Sequence, residues 1–149
     1  MAVTPEEAAA IYMEELGRQA VYLPGAYESV CRIARELPVA IVTNGISEVQ
    51  RVRIRLSRLE RIVHLLAISE EIGCSKPDPA MLFYALEEIG VAPEGALMAG
   101  DSLKSDILAA NRAGVDAVWY NPRGEALPEG YRVQYEIRDI RELVPIALG

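Results

Sequence analysis

The chain has 149 residues, 51% hydrophobic and 25% charged, which is enough apolar material for one globular domain and too much for a disordered segment. A formal charge of −7 argues against a general binder of nucleic acid or anionic membrane, and no apolar run nears the roughly 20 residues that span a bilayer. Two cysteines, Cys31 and Cys74, and one histidine argue against a disulfide framework or a zinc cluster; with Glu6, Glu7, Glu14 and Glu15 near the start, a reducing, cytoplasmic setting is expected.

Thr4-Pro5-Glu6-Glu7 reads as a helix start, with Thr4 as N-cap, Pro5 at the first helical position and Glu7 closing a capping box; the helix should run to about Gln19. Leu23-Pro24-Gly25 breaks it. A second helix follows over Ala26 to Glu36, with Val30, Ile33, Ala34 and Leu37 on one face. The run Val39 to Thr43 is short, continuous and β-branched, which suits a strand buried on both faces of a parallel sheet. The next helix takes Val49, Val52, Leu56 and Leu59 as its apolar positions. Then come a strand at Leu65 to Ser69, a long loop through Pro79, a helix at Ala80 to Ile89 and a strand at Ala96 to Ala99. A helix from about Lys104 to Ala113 ends at Gly114, a natural C-cap. A strand at Asp116 to Tyr120, a Pro/Gly-rich segment from Asn121 to Gly130, a weaker strand at Val133 to Ile137 and a terminal helix from about Ile140 complete the chain. Alternating strands and helices predict an α/β fold with a parallel sheet.

In such sheets ligands gather beyond the carboxyl ends of the strands, and the conspicuous polar groups fall there. Thr43 and Asn44 end the first strand, Asp101 follows the strand at Ala96 to Ala99, and Lys76 sits in a loop able to fold back over the same edge. Phosphoryl transfer needs donors for the equatorial oxygens, a fixed cation and a metal held by carboxylates. The Thr43 hydroxyl with the Asn44 and Gly45 N–H groups supplies the first, Lys76 the second, and Asp101 with Asp106 the third, as a Mg²⁺ pair. Singly, each has a plainer reading: Asn44-Gly45 as a turn, Asp78 as a helix cap, Asp106 as a solvated first-turn carboxylate. Their order and placement together favour the phosphate and metal site.

Val-Thr-Asn-Gly (Val42 to Gly45), Ser-Lys-Pro-Asp-Pro (Ser75 to Pro79) and Ala-Gly-Asp-Ser-Leu-Lys-Ser-Asp-Ile (Ala99 to Ile107) resemble motifs two, three and four of the haloacid dehalogenase superfamily. Within it the chain is similar to the nucleotidase-like phosphatases. The resemblance implies a Rossmann-like core and Mg²⁺-dependent hydrolysis of small phosphomonoesters, nucleoside monophosphates being a candidate class. It gives Thr43 and Asn44 the phosphate contacts, Lys76 the charge-stabilising role, and Asp101 and Asp106 the metal; Lys76 and Asp101 are thereby the catalytic candidates. The implied partner is a small phosphorylated metabolite, with neither nucleic acid nor membrane.

The family places an Asp nucleophile and a second Asp two residues later on an N-terminal strand, and no Asp-x-Asp occurs in this sequence. Residues 1–22 then correspond to the remnant of a helical cap and its linker, and 23–149 to a core fragment missing its usual first, central strand. A truncated chain of this kind is expected to be inactive by itself. The alternative is a non-enzymatic descendant that binds phosphate and Mg²⁺, or self-associates by strand exchange through the open sheet. Gln19 to Leu23 are a candidate improvised strand for the gap.

Arg51, Arg53, Arg55, Arg58 and Arg61, interspersed with Glu48 and Glu60, read as a solvated helix surface. Arg58 falls where the family commonly has a helix-ending Gly, so a left-handed backbone there costs ~1 kcal/mol. His64 is expected to pack or lie at the surface, and Trp119 and Tyr120 to belong to the core or the site's rim.

Overall fold

The computed structural model describes residues 24–56 and 58–149. The helix expected over 4–19, the improvised strand at 19–23 and the cap remnant over 1–22 lie outside the described residues.

The first helix, α1 (Ala26–Ala34), buries Ala26, Val30 and Ile33, the i, i+4, i+7 stripe of an amphipathic helix. Leu37 joins the same core, and the chain turns into β1 (Ala40–Thr43), all four residues of which are buried, as the unbroken apolar run requires. Helix α2 (Ser47–Leu56) returns the chain, and β2 (Leu65–Ile68) pairs in parallel with β1, Ala40 against Leu65 through Thr43 against Ile68. His64 locks the start of this pair: its backbone N–H donates to the Val39 carbonyl at 2.7 Å, and its Nδ1 accepts from the Val39 N–H at 3.0 Å.

A one-turn helix α3 (Ser69–Ile72) and an extended loop lead to α4 (Ala80–Ile89), which packs on both β1 and β2 and buries Met81, Leu82, Ala85 and Leu86. Asp78 starts this helix by accepting from the Ala80 N–H at 2.9 Å. β3 (Leu97–Gly100) is followed by a π-turn at Leu103–Ile107 and by α5 (Leu108–Ala113), which ends on Gly114 at φ 74° as expected. β4 (Asp116–Tyr120) pairs in parallel with β3, and β5 (Tyr135–Ile137) with β4. A capping box of Asp139 and Glu142 opens the last segment, whose helix α6 (Leu143–Leu148) packs on α1.

Among the described residues the strands form two separate parallel sheets, β1–β2 and β3–β4–β5, the division that a missing central strand implies. Alternation along a strand fixes which edge of β1 faces that division. Val39 bonds to His64 on the β2 side, so Val42, three residues on, directs its carbonyl to the opposite edge.

Helix α2 corrects the sequence reading. Val49, Val52 and Leu56, assigned to the core face, are exposed, Leu56 at 69%, while Gln50 and Ile54 are buried with Leu59 just beyond. The reason is the Gln50 amide, which is drawn inward by two acceptors at the end of β1 and rotates the helix about its axis. Arg58 does adopt the left-handed backbone, at φ 66°. The arginines of this stretch are mostly exposed, Arg51 pairing with Glu71 at 2.7 Å. No helix among the described residues is long and apolar enough to cross a membrane.

Candidate functional site

Thr43, Asn44, Lys76, Asp101 and Asp106 come together where β1 and β3 end. The Lys76 loop is tied to β1 by the Asn44 side chain, whose Oδ1 accepts from the Lys76 N–H at 2.9 Å and whose Nδ2 donates to the Lys76 carbonyl at 3.0 Å. Asn44 thus acts through both ends of its amide on the backbone of the lysine. That backbone aims the Lys76 side chain across the division between the sheets. Its Nζ donates to the Val42 carbonyl at 3.1 Å and to Asp106 Oδ1 at 2.9 Å, and neither the lysine nor the aspartate side chain is exposed.

Asp106 reaches this place because the chain after β3 makes a π-turn. The Ser102 hydroxyl accepts from the Ser105 N–H, and the Asp106 and Ile107 N–H groups both donate to the Ser102 carbonyl. The carboxylate then turns inward, Oδ2 accepting from the Ser102 N–H at 3.1 Å and Oδ1 from the Ser105 hydroxyl at 3.2 Å as well as from Lys76. A Cβ added at Gly100 would lie 2.6 Å from the Asp106 Cβ and Cγ, so only glycine leaves room for this carboxylate. The plainer alternative for Asp106, a solvated first-turn carboxylate, does not hold. Asp106 is wholly buried, because three donors, the Lys76 ammonium, the Ser102 N–H and the Ser105 hydroxyl, compensate its charge.

Burial pushes the Lys76 ammonium down from 10.5 to about 7, against the opposing pull of Asp106 first and of Asp101. Asp101, half-buried at the end of β3, is held through its backbone carbonyl, which accepts from Trp119 Nε1 at 3.3 Å. It lines a cleft of about 520 Å³ whose walls include Lys104, Trp119, Tyr120 and Arg123. Asn121 shapes the far wall, its amide donating to the Glu125 carbonyl and the Glu136 carboxylate.

Two groups at the end of β1 differ from expectation or escaped it. The Gly45 N–H, assigned to a phosphate, donates to the Ser69 hydroxyl at 2.9 Å, because the start of α3 lies directly across from it. Gln50 was not singled out; its Nε2 donates to Thr43 Oγ1 at 3.0 Å and to the Asn44 carbonyl at 2.9 Å. A glutamine seven residues after a strand-ending threonine, with a glycine between, is the pattern that carries this contact.

For a divalent cation the donor chemistry fits in part. Asp101 and Asp106 are hard oxygen donors of the kind Mg²⁺ takes, and Mg²⁺ ordinarily keeps several waters. Among the described residues no group of three or more His, Cys, Asp or Glu forms a site. Asp101 is the one of the two carboxylates that lines the cleft. Both oxygens of Asp106 already accept hydrogen bonds.

The family model for haloacid dehalogenase-like hydrolases matches residues 2–120, and the chain belongs to that family. It is 37% identical over 122 residues to the pyrimidine 5'-nucleotidase YjjG of Escherichia coli, covering 81% of this chain and 54% of that protein. To a phosphoserine phosphatase of Thermus thermophilus it is 40% identical over 111 residues, covering 73% of this chain and 44% of the relative. Among solved structures, the putative HAD-hydrolase YfnB of Bacillus subtilis, bound to magnesium, superposes with a TM-score of 0.80 at 33% identity, over 84% of this chain and 55% of that one. The chain spans about half the length of the curated relatives it matches.

Proposed function

We propose that these residues are the phosphate- and Mg²⁺-holding part of a phosphomonoesterase site, acting on small phosphorylated metabolites in the cytoplasm, nucleoside monophosphates first among them. The observation that carries this reading is the Lys76 ammonium, held without exposure beside Asp106 at the carboxyl end of β1. A lysine is buried at such a place at considerable cost, and phosphoryl transfer is the chemistry that uses a fixed cation there. Thr43 would donate to a phosphate oxygen, Lys76 would balance the charge that develops on the group, and Asp101, with Asp106 behind it, would hold the metal. A bound Mg²⁺ would neutralise phosphate charge and orient the ester. The nucleotidase and phosphatase names of the relatives support the substrate class.

No Asp-x-Asp occurs in the 149 residues, so the chain by itself is expected to bind without turnover. The test is Mg²⁺-dependent phosphate release from a panel of phosphomonoesters, with Asp101→Ala in parallel to exclude a contaminant. Phosphate or Mg²⁺ binding without turnover is the expected result. Turnover that vanishes in Asp101→Ala would mean that a nucleophile other than an Asp-x-Asp pair operates.

The split of the strands into β1–β2 and β3–β4–β5 supports a second reading, a binding descendant that self-associates across the facing edges. It predicts a stable oligomer at micromolar concentration by light scattering. A folded monomer that binds neither phosphate nor Mg²⁺ would count against both readings.

A further inference from the structure

We infer that Gln50 is a positioning residue that presets Thr43 as a hydrogen-bond donor toward an oxyanion at the end of β1. The inference rests on the reading of that end as a phosphate site. It starts from a buried polar side chain with both amide hydrogens accounted for. Nε2 donates one to the Asn44 carbonyl at 2.9 Å and one to Thr43 Oγ1 at 3.0 Å. A carbonyl can only accept, so the end of the amide that meets Asn44 must be the NH₂ end. The same NH₂ group then meets Thr43, whose hydroxyl oxygen must accept.

A threonine hydroxyl has a single hydrogen. With its oxygen accepting from Gln50, that hydrogen is left to donate. The acceptor it meets inside the protein is the Asn44 carbonyl at 3.4 Å, a long contact to an oxygen already served by Gln50. An anion beyond the end of β1 would be the better acceptor. Gln50 in this way fixes the sense of the hydrogen bond that Thr43 offers, without touching the ligand itself. The backbone is built to admit the amide: a Cβ on Gly45 would lie 2.6 Å from Gln50 Nε2 and 3.1 Å from its Cγ. The rotation of α2 that exposes Val49 and Val52 is the same feature seen from the other face of the helix.

Sulfate is the probe, because it keeps its charge over about pH 5 to 8 while a carboxyl group titrates. Its affinity is measured by calorimetry on the full chain with MgCl₂ present, each variant against wild type at the same pH. Gln50→Glu keeps the shape and reverses the polarity, since a carboxylate accepts the Thr43 hydrogen and withdraws it from the anion. The expected deficit is about 10-fold or more at pH 8, closing toward wild type at pH 5 as the introduced carboxyl takes up a proton and can donate. Gln50→Met provides a neutral test that does not depend on the folding of the charged variant. It should weaken sulfate binding several-fold in the wild-type background and add nothing in Thr43→Val, because no hydroxyl is then left to orient.

Wild type that binds sulfate while Gln50→Glu binds equally at pH 8, or an equal Gln50→Met penalty with and without the Thr43 hydroxyl, overturns the inference and leaves the phosphate site standing. Wild type that binds no sulfate overturns the phosphate site and the inference together.

Discussion

Lys76 and Asp106 form an ion pair of 2.9 Å in which neither side chain is exposed, and the lysine also donates to the Val42 carbonyl at the edge of β1. One side chain thus joins the β1–β2 sheet to the turn that follows β3. Buried pairs of this kind gain little net stability, but breaking one strands a charge away from water. Lys76→Met should therefore cost about 3–5 kcal/mol. Adding Asp106→Leu should restore most of that loss, since the orphaned carboxylate is removed too. Urea unfolding of the two variants checks this, and equal stability of the single and double variants would refute it.

The lysine also sets a pH dependence. Its folded value, about 7, lies below its ordinary 10.5, so between those values the unfolded chain holds the proton that the folded chain has released. Stability of the metal-free protein should rise with pH from about 7, and this contribution should be lost as pH falls through that value. Cys74, whose thiol burial pushes up from 9.0, acts in the opposite sense only above 9.0. The rise is therefore read between pH 7 and 9. Denaturant midpoints at constant ionic strength should show it in wild type and not in Lys76→Met.

Much of this architecture was legible in the sequence, and what was not has identifiable causes. The strands at Val39 to Thr43 and Asp116 to Tyr120 announce themselves through continuous apolar runs, the helix at Ala80 to Ile89 through its apolar residues at 81, 82, 85 and 86, and all three because Pro and Gly bound them. The motif around Lys76 and its loop after the second strand point it toward the site. Its ion pair with Asp106 is not legible there, because the partner stands 30 residues away and is reached only through the π-turn. Periodicity misled at α2, where counting apolar residues favoured Val49 and Val52 over Gln50. A glutamine is buried there because two acceptors at β1 satisfy it, and hydropathy does not register that. Gly45 was read as an oxyanion donor because the facing Ser69 is distant in the chain.

Arg58 holds φ 66°, a conformation that costs an L-residue with a side chain about 1–2 kcal/mol and a glycine almost nothing. Part of that gain is returned through the greater freedom of an unfolded glycine. Arg58→Gly should stabilise the protein by about 1 kcal/mol net, read as a rise in thermal midpoint. Arg53→Gly, inside α2, should lose about 1 kcal/mol, so the pair of variants separates the backbone effect from the loss of an arginine charge.

Gly100 makes the opposite demand. Its backbone is in a strand, and what excludes a side chain is the Asp106 carboxyl, whose Cγ would stand 2.6 Å from an added Cβ. Gly100→Ala should destabilise by about 1–3 kcal/mol through overpacking. Since the clash is with the partner of Lys76, the Gly100→Ala penalty should be smaller in an Asp106→Ala background. Additive losses in the double variant would place the strain elsewhere.

Trp119 is the single tryptophan, is buried in β4, and donates through Nε1 to the backbone carbonyl of Asp101, the carboxylate that lines the cleft. A cation taken up by Asp101 would change the field along that hydrogen bond and tighten the turn on which it ends. Mg²⁺ titration should accordingly shift or quench the tryptophan emission saturably, without any need for turnover. Asp101→Asn, which keeps the shape and removes the charge, should abolish the response while leaving the starting spectrum unchanged. Asp106→Asn should weaken it less, because that carboxylate already accepts from Lys76, Ser102 and Ser105. A response identical in wild type and Asp101→Asn would place the cation away from the end of β3 and remove Asp101 from the metal site.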